Sequence, residues 1–440
     1  MAWRGGQLAS KLVLSRMLDE TYPVEVRRHI TLLTAARTCA NGCYRFAPPF
    51  LAAIARGVGV SLNDIGVALA IAELAGLLSP LTARWVDHLH RRTAMTAGLL
   101  GVGAGTLLAA TSQGLVWFAT ALVVLSQSKV MFDLGLGSWI ADHVAYDRRS
   151  RVVGLTETSW ALGLLVGVSV MGLVTAAAGW RAGYLTGAVA VITLAVVVRR
   201  CLPDDPDDPG STGLGDPDDP DSTGLGIVPS GTGPGTLAVP VARPHRAAPT
   251  GAAVGLGGWI VVAGAVGLMG ASQSLFVTFG SWLEDNFAFS AAGIAVVVFG
   301  IGLGELLASI TSARRTDAWG KEWSVAMGAL MMVPASAGLA LWNDHLAVGL
   351  AFLAVAIAGF EFAIVSALAI GSQLVAGSPA RGLALMIGGG TLGRAVAAVI
   401  ATHAYDRYGI GWPAVMCAVG AAIAAALMLT ARHLNHHPSP

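Results

Sequence analysis

Long apolar runs separated by short polar breaks organise the whole chain. A helix that crosses a bilayer needs roughly 17–25 mostly apolar residues. Twelve candidates follow, at 29–52, 65–83, 94–112, 115–140, 152–177, 182–198, 254–283, 291–312, 323–341, 347–371, 382–403 and 411–430. The first contains Pro48 and Pro49, which should kink it or end its regular part. Residues 1–28 are too basic and too poor in apolar residues to act as a cleavable leader. Between the sixth and seventh candidates the pattern breaks down: residues 201–250 are rich in Pro, Asp, Gly, Ser and Thr. They hold an eleven-residue direct repeat, DPDDPGSTGLG at 205–215 and DPDDPDSTGLG at 216–226. This reads as a solvated linker; calcium binding by its Asp clusters is the sharper alternative, without EF-hand spacing to support it.

Composition agrees with the pattern. Charged residues make up 12% of the chain, against about 25% in a soluble domain. Hydrophobic residues make up 55%, and mean hydropathy is +0.67. A net charge of +1 gives no basic excess for nucleic acid. The 56 glycines show no collagen period and suit close helix packing in lipid. Cys39, Cys43, Cys201 and Cys417 read as free thiols, and no metal or cofactor site is expected. The fold class is therefore an all-α membrane protein with twelve transmembrane helices.

Placing the N-terminus in the cytoplasm puts 20 of the 27 Lys and Arg residues on that side and three outside, at Arg56, Arg181 and Arg407. That bias predicts both termini inside. The chain then divides into a cytoplasmic tail (1–28), a six-helix bundle (29–200), the linker (201–250), a second six-helix bundle (251–431) and a short cytoplasmic tail (432–440). The halves echo each other. Glu73 matches Glu305, Asp87 matches Asp317, Asp133 matches Glu361 and Gly179-Trp180 matches Gly411-Trp412, at offsets of 228–232. Six helices per unit means two parallel, pseudo-symmetric repeats with a binding site near the midplane between them.

On these residues the chain resembles the major facilitator superfamily. The loop Ala83 to Arg92 keeps Asp87, Arg91 and Arg92 of that family's cytoplasmic gate motif, and its copy at Ala313 to Glu322 keeps Asp317, Gly320 and Lys321. Gly154, Gly163, Gly167 and Gly172 fall at the antiporter-motif spacings of the fifth helix, with Val168 and Met171 in place of Pro and Gly. The stretches from Tyr44 to Leu51 and from Gly359 to Phe362 resemble bacterial efflux permeases of the drug/metabolite:proton antiporter branch. The resemblance implies that helices 1, 4, 7 and 10 line a cavity, and that helices 2 and 11, and 5 and 8, pack across the halves.

Nine charged residues lie inside the predicted spans: Arg37, Arg45, Glu73, Lys129, Asp133, Glu157, Glu305, Glu361 and Arg394. Such charges are costly in lipid and mark candidate sites. Lys129 and Asp133 share a helix face, so a local pair is one reading and a gate contact to Arg91 or Arg92 another. Glu361 has no basic residue at i±3 or i±4. Glu73 and Arg394, at equal depth on neighbouring helices, predict an ion pair between bundles. Glu157 and Glu305 should sit roughly 8–11 Å deep. If close together, they cannot both ionise cheaply, which suits a proton carrier. Pairing of Glu157 with Arg37 is the structural alternative. Proton-coupling candidates are thus Glu157, Glu361, Asp133 and Glu305. Cavity candidates are Arg45, Arg37, Asn41, Lys129, Gln273 and Ser274, whereas Trp139, Trp160 and Trp282 read as interface or packing residues.

The function these features suggest is proton-coupled export of a small organic compound by a monomer in a bacterial cytoplasmic membrane. A uniporter or proton symporter for a sugar or other nutrient is the rival, and a non-transporting sensor or scaffold is the alternative from another class. An enzyme is not expected: the chain has no His-rich metal cluster, nucleophile elbow or phosphate loop, and Gly388-Gly389-Gly390 lies within a span.

Overall fold

The computed structural model describes residues 18–145, 148–203, 254–371, 373–375 and 379–436. Most of the predicted linker, its repeat included, most of the N-terminal tail and the last four residues lie outside them. Every regular element among the described residues is helical. The first half comprises α1 (Val24–Arg45), α2 (Leu51–Val58), α3 (Leu62–Ala75), α4 (Ser79–Asp87), α5 (Arg91–Ala110), α6 (Leu115–His143), α7 (Arg149–Leu162), α8 (Ser169–Ala178) and α9 (Trp180–Cys201). The second comprises α10 (Leu256–Phe276), α11 (Phe279–Phe287), α12 (Ala291–Trp319), α13 (Lys321–Leu341), α14 (Leu346–Gly371), α15 (Pro379–Tyr408) and α16 (Gly411–His436).

Ten stretches, from Arg91–Ala110 to Gly411–Leu434, are each long and apolar enough to cross a membrane. Val24–Val58 and Leu62–Leu78 pass that test only together, with a 120° bend between them. The reason is local: Arg37 and Arg45 lower the hydropathy of one arm, and the other is short. The described residues thus hold ten candidate spans, or eleven with the bent pair counted as one, against the twelve predicted.

Sequence explains the breaks. α1 ends at Arg45, just before Pro48, and a 3-10 turn over Pro48–Phe50 leads into α2. Gly59, at φ 78°, closes α2 in the left-handed region, and Ser61 and Asp64 form a capping box that opens α3. Between α10 and α11, the Thr278 hydroxyl donates to the Ser274 carbonyl at 2.7 Å, drawing it out of the regular ladder. The glycine-rich stretch Gly163–Val168 joins α7 to α8 as a π-helical segment, a wider winding often found at functional positions.

In the first half α5 packs on α6 and α9, and α1 packs on α7, the π segment and α9. In the second, α10 packs on α15 and α16, and α13 packs on α14 and α16. The halves meet where α3 lies against α15, where the π segment and α8 lie against α12, and where α2 and the 3-10 turn touch α11.

Candidate functional site

A small cavity of about 40 Å³ lies where these contacts converge, room for a few water molecules. Tyr44, Arg45 and the Pro48–Pro49 turn form one wall, and Gln273, Phe276 and Phe360 face them from the second half. Leu69 and Glu73 of α3, Leu122 and Leu125 of α6, Trp160 of α7 and Arg394 of α15 complete the enclosure.

Arg45 reaches across the halves and grips Glu305 with two bonds, Nη1 to Oε2 at 2.8 Å and Nη2 to Oε1 at 2.6 Å. The pair is nearly dry, with side chains 7% and 0% exposed. Such a bidentate geometry is what a desolvated pair needs to offset its hydration loss. Arg45 Nη1 also donates to the Trp160 carbonyl at 3.0 Å, and its guanidinium lies 4.5 Å from the centre of the Trp160 ring and 5.4 Å from that of Phe276. A second bond set joins the halves at Glu73, whose Oε1 accepts from Arg394 Nη2 at 2.6 Å, Arg394 Nε at 3.0 Å and the Tyr44 hydroxyl at 3.0 Å.

A third cluster stays within the first half. Arg37 donates to Asp133 at 2.9 Å and pairs with Glu157 at 2.8 Å. Lys129 donates to Asp133 at 2.6 Å and lies 5.5 Å from the centre of the Tyr44 ring and 5.8 Å from that of Trp160. Among the nine intramembrane charges, four cations thus engage four acids. Glu361 has no cation within ion-pair distance among the described residues. Its side chain accepts from Ser309 at 2.5 Å through Oε1, while Oε2 is buried without a partner. Ser309 follows Glu305 by one turn on α12, so the two carboxylates are near neighbours.

Several predicted positions fall elsewhere. Glu157 is not buried beside Glu305: its side chain is 42% exposed and held by Arg37 of α1. Asp133 holds Arg37 and Lys129 rather than Arg91 or Arg92. Arg91 donates to Asp142 at 2.9 Å, and Arg92 donates to the Leu202 carbonyl at 3.2 Å. Ser274 is a packing residue, donating to the carbonyls of Ala271 and Pro413, and does not line the cavity. Asn41 donates to Ser159 at 3.1 Å between α1 and α7. Trp160, read as an interface residue, lines the cavity, whereas Trp139 stacks on His143 and Trp282 donates to the Asn343 carbonyl.

The gate-motif side chains of Asp87 and Asp317 lie outside the described ones; Gly320, at φ 90°, turns α12 into α13, which opens on Lys321. The helix-five glycines divide. A Cβ at Gly163 would meet Asn41 at 2.7 Å, one at Gly167 would meet the Gly42 Cα at 2.9 Å, and one at Gly172 would meet Ala295 at 2.9 Å, whereas Gly154 has open space around it. Tyr44, Ser309, Phe276 and Phe360 escaped sequence reasoning. Of these, Tyr44 and Phe360 had a signal, their places in the motif-like stretches from Tyr44 to Leu51 and from Gly359 to Phe362.

The Major Facilitator Superfamily model matches residues 33–266, just over half of the 440-residue chain. The uncharacterized transporter YgaY of Escherichia coli is 30% identical over 179 residues, 40% of this chain and 44% of that protein. The niacin transporter NiaP of Acinetobacter baylyi is 26% identical over 148 residues, 32% of this chain and 30% of that protein. The matches thus span less than half the length of these relatives. Among solved structures, the human organic anion transporter MFSD10 (TETRAN) superposes with a TM-score of 0.63 at 18% identity, covering 92% of this chain and 100% of that one. A bacterial homologue of the human lysosomal transporter Spinster, inward-facing and occupied, gives 0.64 at 15% identity, covering 93% and 98%. At such identities the likeness speaks for the fold alone. Family match, fold and apolar helices agree: the chain is a multi-pass membrane protein that belongs to the major facilitator superfamily, a family of transporters rather than enzymes.

Proposed function

We propose that this protein is a proton-coupled secondary transporter of a small organic compound. It would work as a monomer, by alternating access between bundles 29–200 and 251–431, in a bacterial cytoplasmic membrane with both termini inside. Glu361 carries the proposal. Its side chain is 2% exposed, and one carboxylate oxygen has no partner. With all nine intramembrane groups ionised, five acids face four bases. One proton on Glu361 restores neutrality. A charge that remains uncompensated in a low-dielectric interior is costly, so a group placed this way favours reversible protonation. Asp133, Glu157 and Glu305 are each held by a cation and serve as the fixed part of the network.

Export is the direction supported by the helix-five glycines, where Gly163 and Gly167 let the π segment approach α1. Entry of a nutrient with a proton is a second reading, favoured by the partial similarity to NiaP and by Arg45 in the cavity wall. Transport into proteoliposomes under an imposed pH gradient tests the shared core of both. The Glu361→Gln protein should lose gradient-driven flux while retaining its fold. Wild-type flux in that variant would refute the proton role.

A further inference from the structure

The cavity wall has a definite chemical bias. Arg45 uses three N–H bonds, on Glu305 and the Trp160 carbonyl, out of the five that a guanidinium offers. Gln273, 1% exposed and part of the same lining, leaves its Nε2 donor without a partner. The lone acid of the lining, Glu73, is occupied by Arg394 and Tyr44. The rest of the surface is largely leucine, proline and phenylalanine. Spare donors beside one cation, with no spare carboxylate, match a ligand that has one anionic acceptor group and an apolar body. A cation would meet no free carboxylate in the lining itself, since Glu361 lies outside it, and a sugar would leave most of its hydroxyls facing apolar walls.

Charge then couples this ligand to the proton. The charged groups around Glu361 on α14 are Glu305 on α12, Arg45 on α1 and, more remotely, the half-exposed Glu157 on α7, while α10 carries no charged residue. α13 has charges only in its first turn, Lys321 and Glu322, and the nearest charged group of α15 in the cavity wall is Arg394, already bound to Glu73. An anion at Arg45 adds a negative charge to a region that already holds one acid in excess. Protonation of Glu361 removes that excess, so each binding event favours the other. We infer that the central cavity binds a small monocarboxylate through Arg45 and Gln273, together with a proton on Glu361. The inference rests on the proton-coupled reading above. It gives that reading a coupling sense, with anion and proton moving in the same direction, which selects entry, the second reading above, over export.

The test uses the full-length protein in detergent. Acetate and propionate, small enough for a cavity of this size, are compared with acetamide and propionamide by thermal shift and calorimetric titration. At least one carboxylate should bind, roughly tenfold or more tighter than its amide, as loss of a charged hydrogen bond implies. Its affinity should fall by up to about tenfold per pH unit on the alkaline side of the Glu361 titration. Glu361→Gln should keep the binding and lose this pH dependence, and Arg45→Lys should weaken the carboxylate and not the amide. No binding by any carboxylate, equal binding of acids and amides, or a pH dependence that survives in Glu361→Gln would overturn the inference. Gradient-driven transport of a neutral or cationic compound, abolished by Glu361→Gln, would overturn it while leaving the proton-coupled reading intact. Carboxylate binding with no gradient-driven flux of any compound would instead remove that reading.

Discussion

The Arg45–Glu305 pair makes an asymmetric prediction, because a second carboxylate waits beside it. Arg45→Gln leaves Glu305 as a fully buried anion with Glu361 as its neighbour. Breaking a buried pair in this way costs about 3–5 kcal/mol. Glu305→Gln leaves Arg45 instead, and Glu361 lies roughly one helical turn away through Ser309. Recruiting it would restore a charge-assisted bond worth about 1.5–3 kcal/mol. The net loss for Glu305→Gln should therefore be about 2 kcal/mol, well below that for Arg45→Gln. Adding Glu361→Gln removes the substitute and should bring the loss back to the Arg45→Gln level. Equilibrium unfolding in mixed micelles, followed by tryptophan fluorescence, reads the difference. Trp160 is a suitable reporter, since the guanidinium sits over its ring at 4.5 Å. If Glu305→Gln destabilises as much as Arg45→Gln, and Glu361→Gln adds nothing to it, Glu361 is not within reach of Arg45 and the picture of a shared carboxylate pair fails.

Gly167→Ala should press α1 away from the π segment, costing about 1–3 kcal/mol and most of the transport rate. Gly154→Ala should be neutral in the same melting and flux assays, because its surroundings are open. Asp133→Asn strands Lys129 and leaves Arg37 only the half-exposed Glu157, whereas Lys129→Met leaves the Arg37–Asp133 bond in place; melting temperatures should fall further for the first. Arg56→Ala removes an exposed contact to Glu284 and should change stability by less than about 1 kcal/mol, but widen the distance distribution between spin labels at the exposed positions 113 and 286. A fluorescent protein fused after residue 440 should fold and emit, as expected for a cytoplasmic C-terminus; a dark fusion with full-length expression would reverse the topology.

The spans were legible because lipid leaves only one solution for a long apolar run, a helix that satisfies its own backbone. Edges shifted where polar residues extend a helix beyond the hydrocarbon, as at Val24 and at Tyr408. The π segment was not legible: Gly163 and Gly167 announce close approach, but not the winding that achieves it. Partnership across the halves was legible for Glu73 and Arg394, whose depths match. It was not for Arg45, which read as a cavity residue; its partner, Glu305, is on α12. Hydropathy gives depth along a helix and little about rotation around it. For the same reason Glu157, deep by residue count, faces the exposed side of its cluster, and Ser274 points into α16 rather than into the cavity.

The ion pairs joining the halves differ in a way that bears on movement. Arg56 and Glu284 are 60% and 27% exposed, at the end opposite the chain termini. Water can replace that contact at a cost near or below about 1 kcal/mol. Glu73–Arg394 and Arg45–Glu305 lie deep between the bundles, and separating either would leave buried charges at a cost of about 3–5 kcal/mol, a penalty above a hundredfold in population. A motion that broke the deep pairs would rarely occur, whereas one that kept them and released the exposed contact would be cheap. Rocking about an axis through the two buried pairs satisfies both conditions. The same axis passes the cavity and the Arg45–Glu305–Glu361 group. Under the proposed alternating access, a change of charge at that group would act where the halves pivot, and a small change in local attraction would be converted into opening at either end.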